Sequence, residues 1–137
     1  MKPATHVVQY YETDRMGVTH HSNYIRWMEE ARVDFLNQIG WGYDKFEAEG
    51  VISPVTAVDG KFRLSTTFAD VVSIDVSVEE FKGVRLKLYY EMKNADGQVV
   101  FDGHSEHCFL DEKGMPLRMT KKYPEFVELL KQYTREQ

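Results

Sequence analysis

The chain has 137 residues, 42% hydrophobic and 28% charged, with a net charge of −5. That size predicts one domain over 1–137 whose core can stand without staples. The acidic balance argues against nucleic acid as the main partner, no apolar run nears the roughly 20 residues of a membrane-spanning helix, and the lone Cys108 excludes an internal disulfide.

Met1 to His6 lacks the apolar stretch of a secretion signal, so the cytoplasm is the expected location. Thr5 to Tyr11 can form a first strand. Ser22 or Asn23 then offers a side-chain oxygen to cap a long helix. Ile25, Met28, Phe35, Leu36 and Ile39 share its apolar face, Ala31 allows close approach, and Gly40 is the stop. A short helix fits Tyr43 to Glu49. After Gly50 the period becomes two. Val51 to Leu64 reads as a long or interrupted strand, and Val72, Ile74, Val76 and Val78 mark a half-buried one. Lys82-Gly83 turns into Leu86, Leu88, Tyr90 and Met92, and Asn94 to Gly97 turns into a strand over Gln98 to Leu110. Tyr123 to Tyr133 reads as a terminal helix with Pro124 in its first turn. Strand, long helix and a four-strand meander describe an α+β fold with an antiparallel sheet over one amphipathic helix.

The stretch Tyr10-Tyr11-Glu12-Thr13-Asp14-Arg15-Met16-Gly17-Val18-Thr19-His20-His21-Ser22-Asn23-Tyr24 carries the chemistry. Asp14 stands in a loop ahead of the helix, where a carboxylate can serve as nucleophile, as general base for water, or simply as a turn residue. Gly17 permits a tight turn or a close backbone approach. His21 to Tyr24 surround a helix start, whose free N–H groups can hold a developing oxyanion. Together these parts can hydrolyse an acyl bond. Tyr10, Tyr11 and Tyr24 also read as ordinary core or interface aromatics.

The pattern Tyr10, Asp14, Gly17, His21, Tyr24, followed by Glu29 and Arg32, resembles the signature of hot-dog-fold thioesterases of the 4-hydroxybenzoyl-CoA thioesterase and YbgC-like acyl-CoA thioesterase family. The element order agrees, so the resemblance covers nearly the whole chain. It implies a hot-dog fold, a sheet of about five strands wrapped around a long central helix. It also implies hydrolysis of an acyl-CoA thioester, with Asp14 attacking the carbonyl or activating water. The His21 N–H would polarise the carbonyl, and the His21 ring and Tyr10 would assist. Gly17, Tyr24, Glu29 and Ser53 would contact substrate, Lys82, Arg85, Arg118 and Lys121 the CoA phosphates. The resemblance also implies a homodimer or homotetramer with sites between subunits. No cofactor is expected beyond the CoA substrate. Arg15-Met16 replaces the small or apolar residues usual in that family, and acyl carrier protein is an alternative thioester carrier.

Among the remaining candidates, Glu29 can instead pair with Arg26 or Arg32, and the basic residues can be solubilising charge. His104 and His107 lie three apart on one strand and so face opposite ways. No Cys, His or carboxylate set has zinc-site spacing, and no metal is expected. A Gly-x-Ser-x-Gly elbow is missing, which argues against a serine hydrolase. His20 has no assigned part. A non-catalytic acyl-CoA or acyl-carrier-protein binding module is the competing function, since fold alone does not fix activity. A dehydratase is a weaker third, for want of a matching His-containing motif.

Overall fold

The structure is a computed structural model describing residues 1–136. Ala4–Val7 forms β1, and a 3-10 turn follows at Tyr10–Glu12. The first strand is therefore shorter than its hydropathy suggests. The Glu12 carboxylate draws the Gln9 N–H to 2.8 Å and bends the chain away from the sheet. Helix α1 runs over Ser22–Gln38 and helix α2 over Tyr43–Ala48. Four strands come next: β2 Val55–Phe62, β3 Val71–Lys82, β4 Arg85–Lys93 and β5 Val99–Cys108. Short α3 (Met119–Lys122) and α4 (Pro124–Lys131) end the fold. The long strand read from Val51 is confined to β2. Pro54 has no N–H to give, and upstream only an isolated bridge, Ile52 to Leu110, survives.

All five strands form one antiparallel sheet in the order β1-β3-β4-β5-β2. Only β3, β4 and β5 make a meander. Strand β2 sits at the far edge beside β5, which corrects the four-strand meander. The segment 63–70 carries the chain from that edge back to β3. On its way it bonds the loop before α1, through Thr19 N–H to Thr66 O at 2.8 Å and Thr67 Oγ1 to Gly17 O at 2.7 Å.

Helix α1 lies across the inner sheet face, burying Tyr24, Trp27, Met28, Ala31, Phe35 and Leu36 against Val72, Ile74, Leu88, Tyr90, Met92 and Phe101. Removing such side chains from water is the main stabilising term. Ile25, expected on this face, is 50% exposed, because the packed stripe is centred on Tyr24, Trp27, Met28 and Ala31 instead. Gly40, in the left-handed region at φ +83°, stops the helix as expected. Strand β2 is exposed along its whole length, with Val55, Val58 and Phe62 open on an edge that has a sheet neighbour on one side only. Among the described residues no helix is long and apolar enough to cross a membrane.

Candidate active site

The loop between the 3-10 turn and α1 is wound around Asp14. Its Oδ1 accepts the Met16 N–H at 2.8 Å and the Val18 N–H at 3.4 Å. The Asp14 N–H donates to Val18 O and the Gly17 N–H to Asp14 O. Closing so tight a loop needs a left-handed residue, and Gly17 supplies it at φ +81°. Among the described residues, Asp14 Oδ2 has no hydrogen-bond partner, so one carboxylate oxygen fixes the loop while the other stays available.

Capping of α1 differs from the sequence expectation. Neither Ser22 nor Asn23 turns its oxygen onto the first helical turn. The His20 ring does the work instead: Nδ1 accepts the Ser22 N–H at 3.2 Å and lies 2.8 Å from Ser22 Oγ. The Asn23 and Tyr24 N–H groups donate to the carbonyls of His20 and His21. The His21 N–H alone is left without an acceptor among the described residues of this turn. It sits where aligned peptide dipoles give the helix start a partial positive charge.

Asp14, His21 and Tyr24 line one cleft of about 250 Å³ with Thr19, Phe62, Arg63, Leu64 and Ser65. Tyr24 joins as a wall. Its ring stacks on Phe101 and meets Phe62 edge-on, while its buried hydroxyl is bonded to Thr66 Oγ1 at 3.0 Å. Thr66 Oγ1 in turn meets Thr19 Oγ1 at 2.6 Å, pinning the helix start to the 63–70 segment. Arg63, the cation of the cleft, is held on Asp102 at 3.1 Å. Below the loop, Glu12 braces the helix. Its buried carboxylate accepts from Trp27 Nε1 at 2.9 Å and meets His6 Nε2 at 2.8 Å. Burial pushes the Glu12 carboxyl up, but the bonds from His6, the Gln9 N–H and Trp27 outweigh it and hold it below the usual carboxylate range.

The other expected site residues lie elsewhere in the fold. Tyr10 is 77% exposed on the 3-10 turn, edge-on to Phe68, neither packed in the first strand nor lining the Asp14 cleft. Glu29 takes both nitrogens of an Arg32 fork, Nε at 3.1 Å and a shorter Nη2 contact. Glu29 and Ser53 line a second, larger and mostly apolar cavity of about 560 Å³, walled by Val33, Leu36, Phe46 and Val51. Lys82 and Arg85 flank the β3–β4 turn in a shallow recess with Lys87, Lys82 pairing with Glu80 at 2.7 Å. Arg118 and Lys121 are exposed at the start of α3. The Phe109 backbone bonds both segments that carry these basic residues: its N–H donates to Val84 O, and its carbonyl accepts from the Leu117 N–H.

Sequence reasoning missed Thr19, Thr66 and the Phe62–Ser65 wall, which reach Asp14 only through the crossover. It also missed the capping by His20. A histidine two residues before a helical N–H was the available signal for that.

Residues 8–130 match the model of the thioesterase-like superfamily. The protein named "Putative acyl-CoA thioesterase YneP" from Bacillus subtilis is 28% identical over 87% of this chain and 87% of its own. A 1,4-dihydroxy-2-naphthoyl-CoA hydrolase from Thermosynechococcus vestitus is 27% identical over 75% of this chain and 71% of its own. Among solved structures, a DHNA-CoA thioesterase from Staphylococcus aureus superposes with a TM-score of 0.88 at 30% identity, covering 96% of this chain and 89% of that one.

Proposed function

The chain belongs to the thioesterase-like superfamily, and from that premise we propose that it is an acyl-CoA thioesterase, a thioester hydrolase with a hot-dog fold that releases a carboxylic acid and free CoA. The observation that carries the reading is the meeting of Asp14, with one carboxylate oxygen free, and His21, with its N–H uncommitted, on a single cleft. The names of the relatives supply the acyl-CoA part. As general base, Asp14 takes a proton from water while the water oxygen bonds to the thioester carbon. As nucleophile, it forms a mixed anhydride that water then opens. In either route the carbonyl oxygen gains negative charge beside the His21 N–H and the helix start, and the C–S bond breaks to release CoA thiolate, which takes up a proton. No metal or redox cofactor enters this scheme, and a cytoplasmic location fits the single free thiol of Cys108.

Two-fold pairing of β2 accounts for the distance between Asp14 and the larger cavity. The Phe62 end of β2 borders the Asp14 cleft, and the Val55 end adjoins Ser53-Pro54 and the apolar cavity. Antiparallel pairing of two copies near Val58 and Asp59 brings the Phe62 end of one copy to the Val55 end of the other. In such a dimer the acid comes from one subunit, and the acyl pocket with Glu29 and Ser53 from its partner. Tyr10, exposed on the 3-10 turn, is kept in this reading as a residue that assists catalysis. Lys82, Arg85, Arg118 and Lys121 are assigned to the CoA phosphates, for which exposed cations are the matching chemistry; the two segments that carry them are tied together through the Phe109 backbone, bonded to Val84 and Leu117. A homotetramer is a pairing of such dimers, and acyl carrier protein is an alternative thioester carrier.

The test is release of free CoA from short, long and aromatic acyl-CoA thioesters by the wild type and Asp14→Asn. Loss of roughly 10²- to 10⁴-fold in kcat is expected for the variant. Equal rates would remove Asp14 from the mechanism. Tight binding of the whole panel by the wild type without turnover would establish a binding module instead.

A further inference from the structure

We propose that His20 is the positioning residue for the His21 ring; this rests on the thioesterase reading for its catalytic consequence, though not for its geometry. The His21 side chain is exposed at the cleft and makes no hydrogen bond among the described residues. Two aromatic contacts restrain it. The His20 ring stacks on it with centroids 4.2 Å apart and planes at 29°, and Phe62 stands edge-on at 6.3 Å. Phe62 is itself an exposed side chain on the open strand, so the firmer support is His20.

His20 is fixed at both ends. Its N–H donates to Glu12 O at 2.8 Å, its carbonyl accepts from the Asn23 N–H at 3.0 Å and from Asn23 Nδ2 at 3.2 Å, and its ring is locked by Ser22. Taking the Ser22 N–H at Nδ1 fixes the direction of that nitrogen, and with it the plane of the His20 ring. The cap therefore does two jobs: it closes the helix start, and it sets the plane on which the His21 ring rests. Through Glu12 and its Trp27 bond, that plane is referred back to the helix core.

Two substitutions separate these jobs. His20→Asn keeps a good capping side chain and removes the stacking face. His20→Phe keeps the face and removes the cap. The measurements are kcat and KM on benzoyl-CoA and octanoyl-CoA, with the His21 ring carbon and proton shifts followed by NMR. His20→Asn is expected to lower kcat roughly tenfold or more with KM changed less than about twofold, and to move the His21 ring shifts toward those of a free side chain. His20→Phe is expected to restore most of that kcat and the displaced ring shifts. In a His21→Ala background, His20→Asn is expected to add no further loss. Wild-type kcat and unmoved His21 shifts in His20→Asn would overturn the proposal. So would equal losses in the Asn and Phe variants, or additive losses in the His21→Ala background. If Asp14→Asn kept the wild-type rate, the thioesterase mechanism would fail instead, and the His21 shifts alone would still decide whether His20 holds the ring.

Discussion

His107 shows how burial sets a charge state at a single residue. It is fully buried on the inner face of β5, where its Nε2 meets Ser105 Oγ at 2.7 Å and Ser105 Oγ meets the Tyr90 hydroxyl at 2.7 Å. Nδ1 has no partner among the described residues. Burial, with a smaller contribution from the Arg32 charge, lowers the His107 pKa to about 4. The same burial pushes Tyr90 up to about 12. Because the folded state resists protonating His107, the unfolded chain binds more protons between its ordinary value of 6.5 and about 4. Stability from this residue is therefore complete above pH 6.5 and is lost as pH falls toward 4, by an amount on the order of 3 kcal/mol. Urea denaturation of the wild type and His107→Asn from pH 7 to 4 checks this. The variant is expected to lose that part of the pH dependence, and parallel curves would refute it.

At the scale of the element, strand β2 depends on a pair of glycines. Gly60 lies opposite Gly103 in the ladder, and the Phe101 ring crosses directly over Gly60. A Cβ at Gly60 would stand 2.3 Å from Phe101 Cζ, and that ring cannot retreat because Tyr24 stacks on it and Phe62 abuts it. Gly60→Ala is expected to cost about 1–3 kcal/mol and to reduce activity by displacing Tyr24 at the cleft wall. Thermal melts and CoA-release rates measure both. The elements themselves were largely legible in the sequence. The alternation Leu86, Leu88, Tyr90, Met92 does mark a buried face, and the α1 periodicity finds the helix. Strand order was not legible, since local hydropathy cannot tell whether β2 pairs with β3 or with β5. Ile25 misled because it lies at the margin of the packed stripe, and a single-sequence pattern cannot locate that margin. At the candidate site, the Asp14 loop and the helix start could be read because they are contiguous. The Phe62–Ser65 wall could not, because it arrives from another element.

For the whole molecule, the open edge of β2 is where the proposed dimer is tested. Val58 is exposed at its centre, and a lysine there would place a strongly hydrated ammonium on the edge that a two-fold pairing must cover. Val58→Lys is expected to sediment as a monomer, to keep its far-UV spectrum, and to lose CoA release with Asp14 intact. A wild type that is fully active as a monomer would exclude a site shared between subunits. The crossover at 63–70 has a separate kinetic consequence. The bonds that clamp the Asp14 loop join residues 47 apart, Thr19 and Thr66, and 50 apart, Gly17 and Thr67. Such closures demand large loop entropies and come after the local hairpins and helix. On dilution from denaturant, far-UV ellipticity is expected to recover before catalytic activity, leaving a transient population that is folded in its secondary structure and inert as an enzyme.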